Sequence, residues 1–334
     1  MTQRMARRQP SSLVTVPRDV DGLTRLRLIV KIALMYHQRG LSQAQIASDL
    51  GFSQARVSQL LKAAEEQGVV ETVVHVPAGM FSHLEDALEQ GFGLEEATVI
   101  DTGPASGDLN HALGAGAAPF VRLGLEGAKV IGVAAWSETL LAAVEAMQPV
   151  EHGSGRYVVN AFGGFGPAAS QAYTRLMEQL ARLCNARPVF LLGPGVVATA
   201  ALRNALRREP QVVDVVSFYD QLSVLLVGIG ALPGSRVFRE SGYVSEEDEA
   251  ELRSRGAVGD VALHFFDAEG RPVRSLLDER VLGISLEQLK RAPKTIAIAG
   301  GEAKFDAIRA ALRGRWVDTL ITDLETAQEL LKRP

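Results

Sequence analysis

The sequence predicts an α/β protein in two parts: an N-terminal three-helix domain of the winged helix-turn-helix type, and a larger doubly wound, mostly parallel α/β domain. Three observations predict this. Residues 21–76 hold three short amphipathic helical patterns followed by a β-branched run. From about residue 93 onward, seven apolar runs alternate with helical patterns. Charge is also divided: residues 1–76 hold ten Lys/Arg and six Asp/Glu, so this part carries +4 in a 334-residue chain of net charge -4, leaving -8 for the remainder. Unbroken Val/Ile/Leu strands joined by helices mark a parallel sheet covered on both faces. A basic piece on an acidic body places any polyanion contact on the first piece.

The elements follow in order. Residues 1–20, "MTQRMARRQPSSLVTVP" and its continuation, read as a flexible tail with too short an apolar segment for a secretory signal. "GLTRLRLIVKIALMYHQRG" has Leu23, Leu26, Ile29, Val30, Ala33 and Leu34 at helical spacing and stops at Gly40. Ser42 is placed to cap a second helix carrying Ile46, Ala47 and Leu50, broken by Gly51. Ser53 is placed to cap a third, with Val57, Leu60, Leu61 and Ala64 as its buried stripe, ending at Gly68. "VVETVVHV" reads as a short strand closing a 21–76 domain. Pro77, Ala78 and Gly79 mark a hinge, and "FSHLEDALEQGFG" makes 77–92 a linker helix. The domain at 93–334 then runs through strands at "ATVID", "KVIGVAA", "YVVNAF", "PVFLL", "SVLLVGIG", "TIAIAGG" and "DTLITD".

Composition bounds the function. Apolar content of 47% and charged content of 22% are ordinary for a globular chain. One cysteine, Cys184, excludes an internal disulfide and fits a reducing compartment. It stands at helical spacing from Leu176 and Leu180, which makes it a core residue rather than a nucleophile. No apolar run reaches the ~18 residues of a membrane span, so no membrane partner and a cytoplasmic location are expected. His37, His75, His83, His111, His152 and His264 are scattered without ligand spacing. No metal and no cofactor are therefore expected.

The third helix carries the most specific local signal. Its narrow apolar stripe leaves Gln54, Ala55, Arg56, Ser58, Gln59 and Lys62 outside. Gln pairs bidentately with adenine and Arg with guanine, while Ser and Lys reach phosphate or base edges. The N-terminal part of a recognition helix is the part that meets bases, which nominates Ser53, Gln54, Ala55, Arg56 and Gln59. Ser42 and Gln43 open the preceding helix, where free backbone N–H groups can hold a phosphate. The expected partner is double-stranded operator DNA.

"GLSQAQIASDLGFSQARVSQLLKAAEEQGVV" resembles the DNA-binding segment of the SorC/DeoR-type sugar-responsive bacterial transcriptional regulators. The likeness continues in "GVAAWSETL", "LLVGIGAL", "RGAVGDV", "FFDAEGRPV", "DERVLGISLEQLKR" and "IAIAGGEAKFDAIRAALRG", in order from about Leu23. It implies an effector domain with the fold of ribose-5-phosphate isomerase and glucosamine-6-phosphate deaminase. It also implies a sugar-phosphate inducer and a dimer or tetramer on a palindromic operator. The linker helix around Leu84 to Leu88, with surfaces of the effector domain, is the expected contact between copies.

The effector site is read from strand ends, because ligands of open α/β sheets sit beyond the carboxyl ends of strands. Ser137 and Thr139 stand where a strand turns into a helix. Gly228 and Gly230 end a second strand; Gly300 and Gly301 end a third and lead to Lys304, a counter-charge for an anion. Asn160, Gly163 and Gly164 follow another strand and line the opposite wall. The resemblance adds Asp260, Asp278 and Arg280, with Arg280 as a bidentate phosphate clamp and the aspartates as hydroxyl acceptors. The family turn usually reads Trp-Gly-x-Thr. Here "WSET" puts Ser137 at the glycine and Glu138 before Thr139, and a carboxylate at a helix start competes with phosphate. A sugar phosphate, a free sugar and a polyol all stay open as effectors. The rival function is a sugar-phosphate isomerase-like enzyme. Asp260, Asp278 and Glu138 are its candidate bases, none paired with a second acid or base; no catalytic residue is assigned.

Overall fold

A computed structural model of the chain describes residues 19–71, 77, 79–103, 108–134, 137–151, 156–164, 167–232 and 244–333, without the side chains of 167–170. Contacts divide it into two compact units, 1–75 and 76–334.

In the first unit, α1 (Val20–Ala33) is capped by Asp19, whose carboxylate accepts from the Gly22 N–H at 2.8 Å. It runs into a π-helical turn, Leu34–Gln38, before Gly40 in the left-handed region. α2 (Gln43–Leu50) begins with a reciprocal capping box between Ser42 and Gln45 and ends at left-handed Gly51. α3 (Gln54–Glu66) is capped by Ser53. The stripe Val57, Leu60, Leu61 and Ala64 is buried as expected, against Ile46, Ala47, Ile29 and Ile32. The first helix differs from expectation: Ile32 and Met35 are buried, while Val30 and Leu34 are exposed. The buried stripe is Ile29, Ile32, Ala33 and Met35, and it continues at three-residue spacing into the π-turn. The expected strand at 69–76 lies mostly outside the described residues, as does the tail at 1–18.

In the second unit, all seven expected strands form one sheet: β1 (Glu96–Ile100), β2 (Val130–Ala134), β3 (Tyr157–Asn160), β4 (Arg187–Val189), β5 (Val224–Val227), β9 (Thr295–Ile298) and β10 (Thr319–Asp323). Their order is β1-β10-β9-β5-β2-β3-β4, and every described pair is parallel. The chain winds outward from β2 to β3 and β4, then returns to β5 and proceeds the other way through β9 and β10. The winding therefore reverses between adjacent β2 and β5, and a crevice opens at their carboxyl ends. Helices α5 (Leu109–Gly124), α6 (Glu138–Ala146), α7 (Pro167–Leu183), α8 (Ala200–Leu206) and α9 (Pro210–Ser217) connect the first five strands. Two buried clusters, one on each face, centre on Leu225, Val227 and Leu320, and on Ile131, Val133 and Ile298. Cys184 is buried in the second, and burial pushes its thiol up to about 12, as an inert core residue requires.

A second sheet was not expected. β6 (Gly230–Ala231), β7 (Ala257–Val261) and β8 (His264–Asp267) form a small antiparallel sheet. Gly259 and Asp260 interrupt the β7 pattern, so alternation was not legible there. The run "SVLLVGIG" is accordingly not one strand: the chain leaves the main sheet after Val227 and joins the small one at Gly230. Four further helices complete the unit: α10 (Glu246–Ser254), α11 (Leu286–Arg291), α12 (Phe305–Arg313) and α13 (Leu324–Lys332).

The expected linker helix, α4 (Ser82–Phe92), packs on β1 and α13. Leu88 is fully buried within the chain, so it is not available for a contact between copies. Glu89 and Glu85, four residues apart on one face, accept from the β1 N–H groups of Ala97 at 2.9 Å and Val99 at 3.0 Å. β1 is an edge strand, and these carboxylates satisfy donors that would otherwise face another chain's edge. Replacing both by Ala should destabilise the unit by about 2–4 kcal/mol, each lost partner costing ~1–3. Urea unfolding would measure it; an unchanged midpoint with increased association would show that the carboxylates only block edge pairing.

Candidate functional site

The first unit presents a polar face built by its two caps. Ser53 Oγ accepts from the Arg56 N–H at 3.3 Å, which fixes the first turn of α3. Ser53, Gln54, Ala55, Arg56, Ser58, Gln59 and Lys62 are all exposed along that helix. The Arg56 guanidinium lies over the Phe52 ring, 4.5 Å from its centroid, so stacking pre-orients it without using its N–H donors. Lys62 makes only a loose 3.9 Å pair with Glu66, both exposed, a pairing worth little and readily exchanged for phosphate. At the start of α2 the Ser42 hydroxyl is engaged in the capping box with Gln45. A phosphate there would meet the backbone around half-buried Gln43, not that hydroxyl.

In the second unit, the carboxyl ends of β2, β5, β9 and β10 lie on one edge of the sheet. Past β2, Ser137 caps α6 by accepting from the Leu140 N–H. Thr139 is buried, and its hydroxyl donates to Asn110 Oδ1 at 3.0 Å; Asn110 Nδ2 donates to Glu138 Oε2 at 3.3 Å. The two bonds fix the amide orientation of Asn110 and aim Glu138 along α5. Past β5, Gly230 pairs with Asp260 across the small sheet, and a Cβ at Gly230 would collide with the Asp260 carboxylate. Asp260 Oδ2 accepts from the Leu263 N–H at 3.0 Å. Past β9, Gly301 at φ +90° opens the 3-10 turn Glu302–Lys304, which packs on β6.

Charge links these segments. Half-buried Lys304 is pushed below the usual lysine range by burial, opposed by the nearby carboxylates of Asp260 and Glu138. Burial pushes Asp260 up to about 6, opposed by the Leu263 N–H and by Lys304. A carboxyl whose folded value stands above its unfolded one contributes stability below pH ~4, and that contribution is lost as pH rises through about 6. The melting midpoint of wild type relative to Asp260→Asn should therefore fall between pH 4 and 7. A pH-independent difference would show that Asp260 titrates normally.

Other expected site residues are held differently. Arg280 forms an ion pair with Asp248 on α10, so its guanidinium is not the free clamp anticipated. Asp278 turns back onto Ser275, accepting from its N–H at 2.6 Å and its hydroxyl at 3.2 Å. The Asn160 amide donates to the Phe162 carbonyl and accepts from the Leu191 N–H, and Tyr219 donates to its carbonyl. Asn160 thus braces the loop in which Gly163 allows close approach of Gly193 and Pro194. With Gly164 it lines a separate, open cavity of about 380 Å³, together with Tyr173, Phe190 and Leu192.

Three residues went unrecognised in the sequence. Asp323, at the end of β10, accepts from Thr326 through both N–H and hydroxyl and from the Gly301 N–H. Thr326 Oγ1 is also placed 2.8 Å from that Gly301 N–H. A Cβ at Gly300 would strike the Asp323 carboxylate, which by itself requires a glycine there. "DLET" carries a helix-capping signal that could have marked Asp323. Asn110 carried no such signal. Among the described residues no cluster of His, Cys, Asp and Glu could hold a metal, and no helix is long and apolar enough to cross a membrane.

Comparison with known proteins fits both units. The family described as "Putative sugar-binding domain" matches residues 77–332. The sorbitol operon regulator of Klebsiella pneumoniae is 32% identical over 311 residues, spanning 92% of this chain and 98% of that protein. The deoxyribonucleoside regulator of Bacillus subtilis is 30% identical over 307 residues, spanning 91% and 97%. The crystal structure of the full-length sorbitol operon regulator superposes with a TM-score of 0.68 at 32% identity, covering 92% of this chain and 99% of that one. A DeoR family regulator from Listeria monocytogenes superposes with a TM-score of 0.68 at 26% identity, over 75% of this chain. The similarity runs through both the helical unit and the sheet unit, and the chain is a member of the sugar-binding-domain family of SorC/DeoR-type transcriptional regulators.

Proposed function

We propose that the chain binds operator DNA through the exposed face of α3 and controls a carbohydrate or polyol catabolic operon in the cytoplasm. A small polyhydroxylated effector, a sugar, polyol or sugar phosphate, binds at the sheet edge of the second unit. The observation that carries the reading is the face itself: Gln54, Arg56 and Gln59 stand exposed on a capped helix following a left-handed glycine turn. One module this small gives little affinity, so two copies of the chain would hold two half-sites roughly 34 Å apart. The effector would shift the population between arrangements that fit this spacing and those that do not.

No metal or cofactor enters this reading, and no residue is given a catalytic role. The isomerase-like alternative rests on fold, which does not carry function by itself. Relatives named as regulators along more than 90% of this chain support the regulator instead. Selection of duplexes from a random library by the intact chain tests it. Enrichment of a palindrome with half-sites one or more helical turns apart is expected. Failure to enrich any sequence, together with turnover of a pentose or hexose phosphate, would favour the enzyme.

A further inference from the structure

We propose that the effector is an uncharged polyol or sugar, held through its hydroxyl groups by Glu138, Asp260 and Lys304, rather than a sugar phosphate. This deepens the effector-site reading above and rests on it.

Among the described residues following the carboxyl ends of β2, β5, β9 and β10, Lys304 is the one cationic side chain. Its turn packs on β6, which pairs with β7 at Asp260, and the charges of Asp260 and Glu138 act on it without forming an ion pair. Arg280, which would have supplied a second positive charge, is paired with Asp248. A phosphate dianion brought beside Glu138 and Asp260 would meet like charge from both carboxylates.

The first turn of α6 makes the same point. Its backbone N–H groups would otherwise suit an anion, yet Glu138 is its first residue and the Ser137 hydroxyl is engaged as its cap.

The carboxylates are arranged as hydroxyl acceptors. Glu138 has Oε2 held by Asn110, and Asp260 has Oδ2 held by the Leu263 N–H. In each case the other oxygen has no hydrogen-bond partner among the described residues, and Glu138 is exposed while Asp260 is half-buried. An ionised carboxylate only accepts, and an ammonium only donates. Uncharged hydroxyl groups do both: they donate to Glu138 Oε1 and Asp260 Oδ1 and accept from Lys304 Nζ. Gly230 leaves the space in which Asp260 can face such a group.

The test uses the full chain in calorimetric titrations with D-ribose, D-sorbitol and D-fructose. Ribose 5-phosphate, sorbitol 6-phosphate, fructose 6-phosphate and inorganic phosphate form the second arm. At least one unphosphorylated compound should bind, at least tenfold tighter than its phosphate. Glu138→Gln preserves size and its tie to Asn110 but not the charge; it should weaken the polyol at least tenfold and narrow the discrimination against phosphate. Circular dichroism would confirm that this exposed substitution leaves the fold intact. Tighter binding of any sugar phosphate than of its parent, or binding of no unphosphorylated member, would overturn the assignment. Duplex selection run on the same preparation separates the two levels. Enriched DNA with phosphate preferred removes only the polyol assignment, whereas no enriched DNA removes the regulator reading beneath it.

Discussion

The Arg56→Ala, Gln59→Ala double variant is expected to bind its selected duplex no better than a scrambled one. Each good bidentate base contact contributes about 1–3 kcal/mol of discrimination, so losing two removes roughly 30- to 10⁴-fold of selectivity. Both side chains are exposed and alanine is the best helix former, so α3 and its buried stripe stay in place. Arg56 gives up only its stacking on Phe52, on the order of 0.5–1 kcal/mol at an exposed site. Lys62→Ala should act differently, weakening selected and scrambled duplexes alike and reducing the salt dependence. Fluorescence anisotropy against both duplexes at two salt concentrations would show it. Retained selectivity in the double variant would mean that another helix reads the DNA.

Asp323→Ala is expected to damage the second unit most among single polar substitutions. It removes the cap of α13, worth about 0.5–2 kcal/mol, and leaves the Gly301 N–H with only Thr326 to receive it. A loss of roughly 2–4 kcal/mol follows from the two together. The turn from Gly300 to Lys304 loses its anchor, so Lys304 is no longer held beside Asp260 and Glu138. Effector affinity should fall at least tenfold, beyond what destabilisation explains. Asp323→Asn keeps one acceptor and should recover part of both. Thermal unfolding and titration of the same three proteins test this; ligand affinity unaffected in Asp323→Ala would detach the turn from the site.

The two kinds of element were not equally legible. The central strands β2, β5 and β9 are buried along their whole length, so they stand out as apolar runs, and the parallel order follows from the helices between the strands. The caps Ser42 and Ser53 and the stripe on α3 were legible because capping and 3.6-residue spacing are local. β7 was not, since Gly259 and Asp260 look like a loop until Gly230 and His264 are placed beside them. The buried face of α1 is ambiguous in sequence because apolar residues stand on more than one side of it: Val30 and Leu34 are exposed while Ile32 is buried. Arg280 looks like a free clamp in the sequence because its partner Asp248 lies 32 residues away. Leu88 read as a surface for a second copy because nothing in its own segment shows that β1 and α13 cover it. Residues named from strand ends, Ser137, Thr139, Gly230 and Lys304, were placed by topology alone. Asn110 and Asp323, which hold them, act through long-range contacts.

The account rests on coupling between a DNA-reading helix and a ligand at the sheet edge of the other unit. The most direct test is the affinity of the intact chain for its selected duplex, with and without a saturating ligand chosen from the titration series. The account predicts a change of at least fivefold, and by linkage the duplex must change the ligand's affinity by the same factor. Equal affinities for the duplex, with the ligand demonstrably bound, would contradict it.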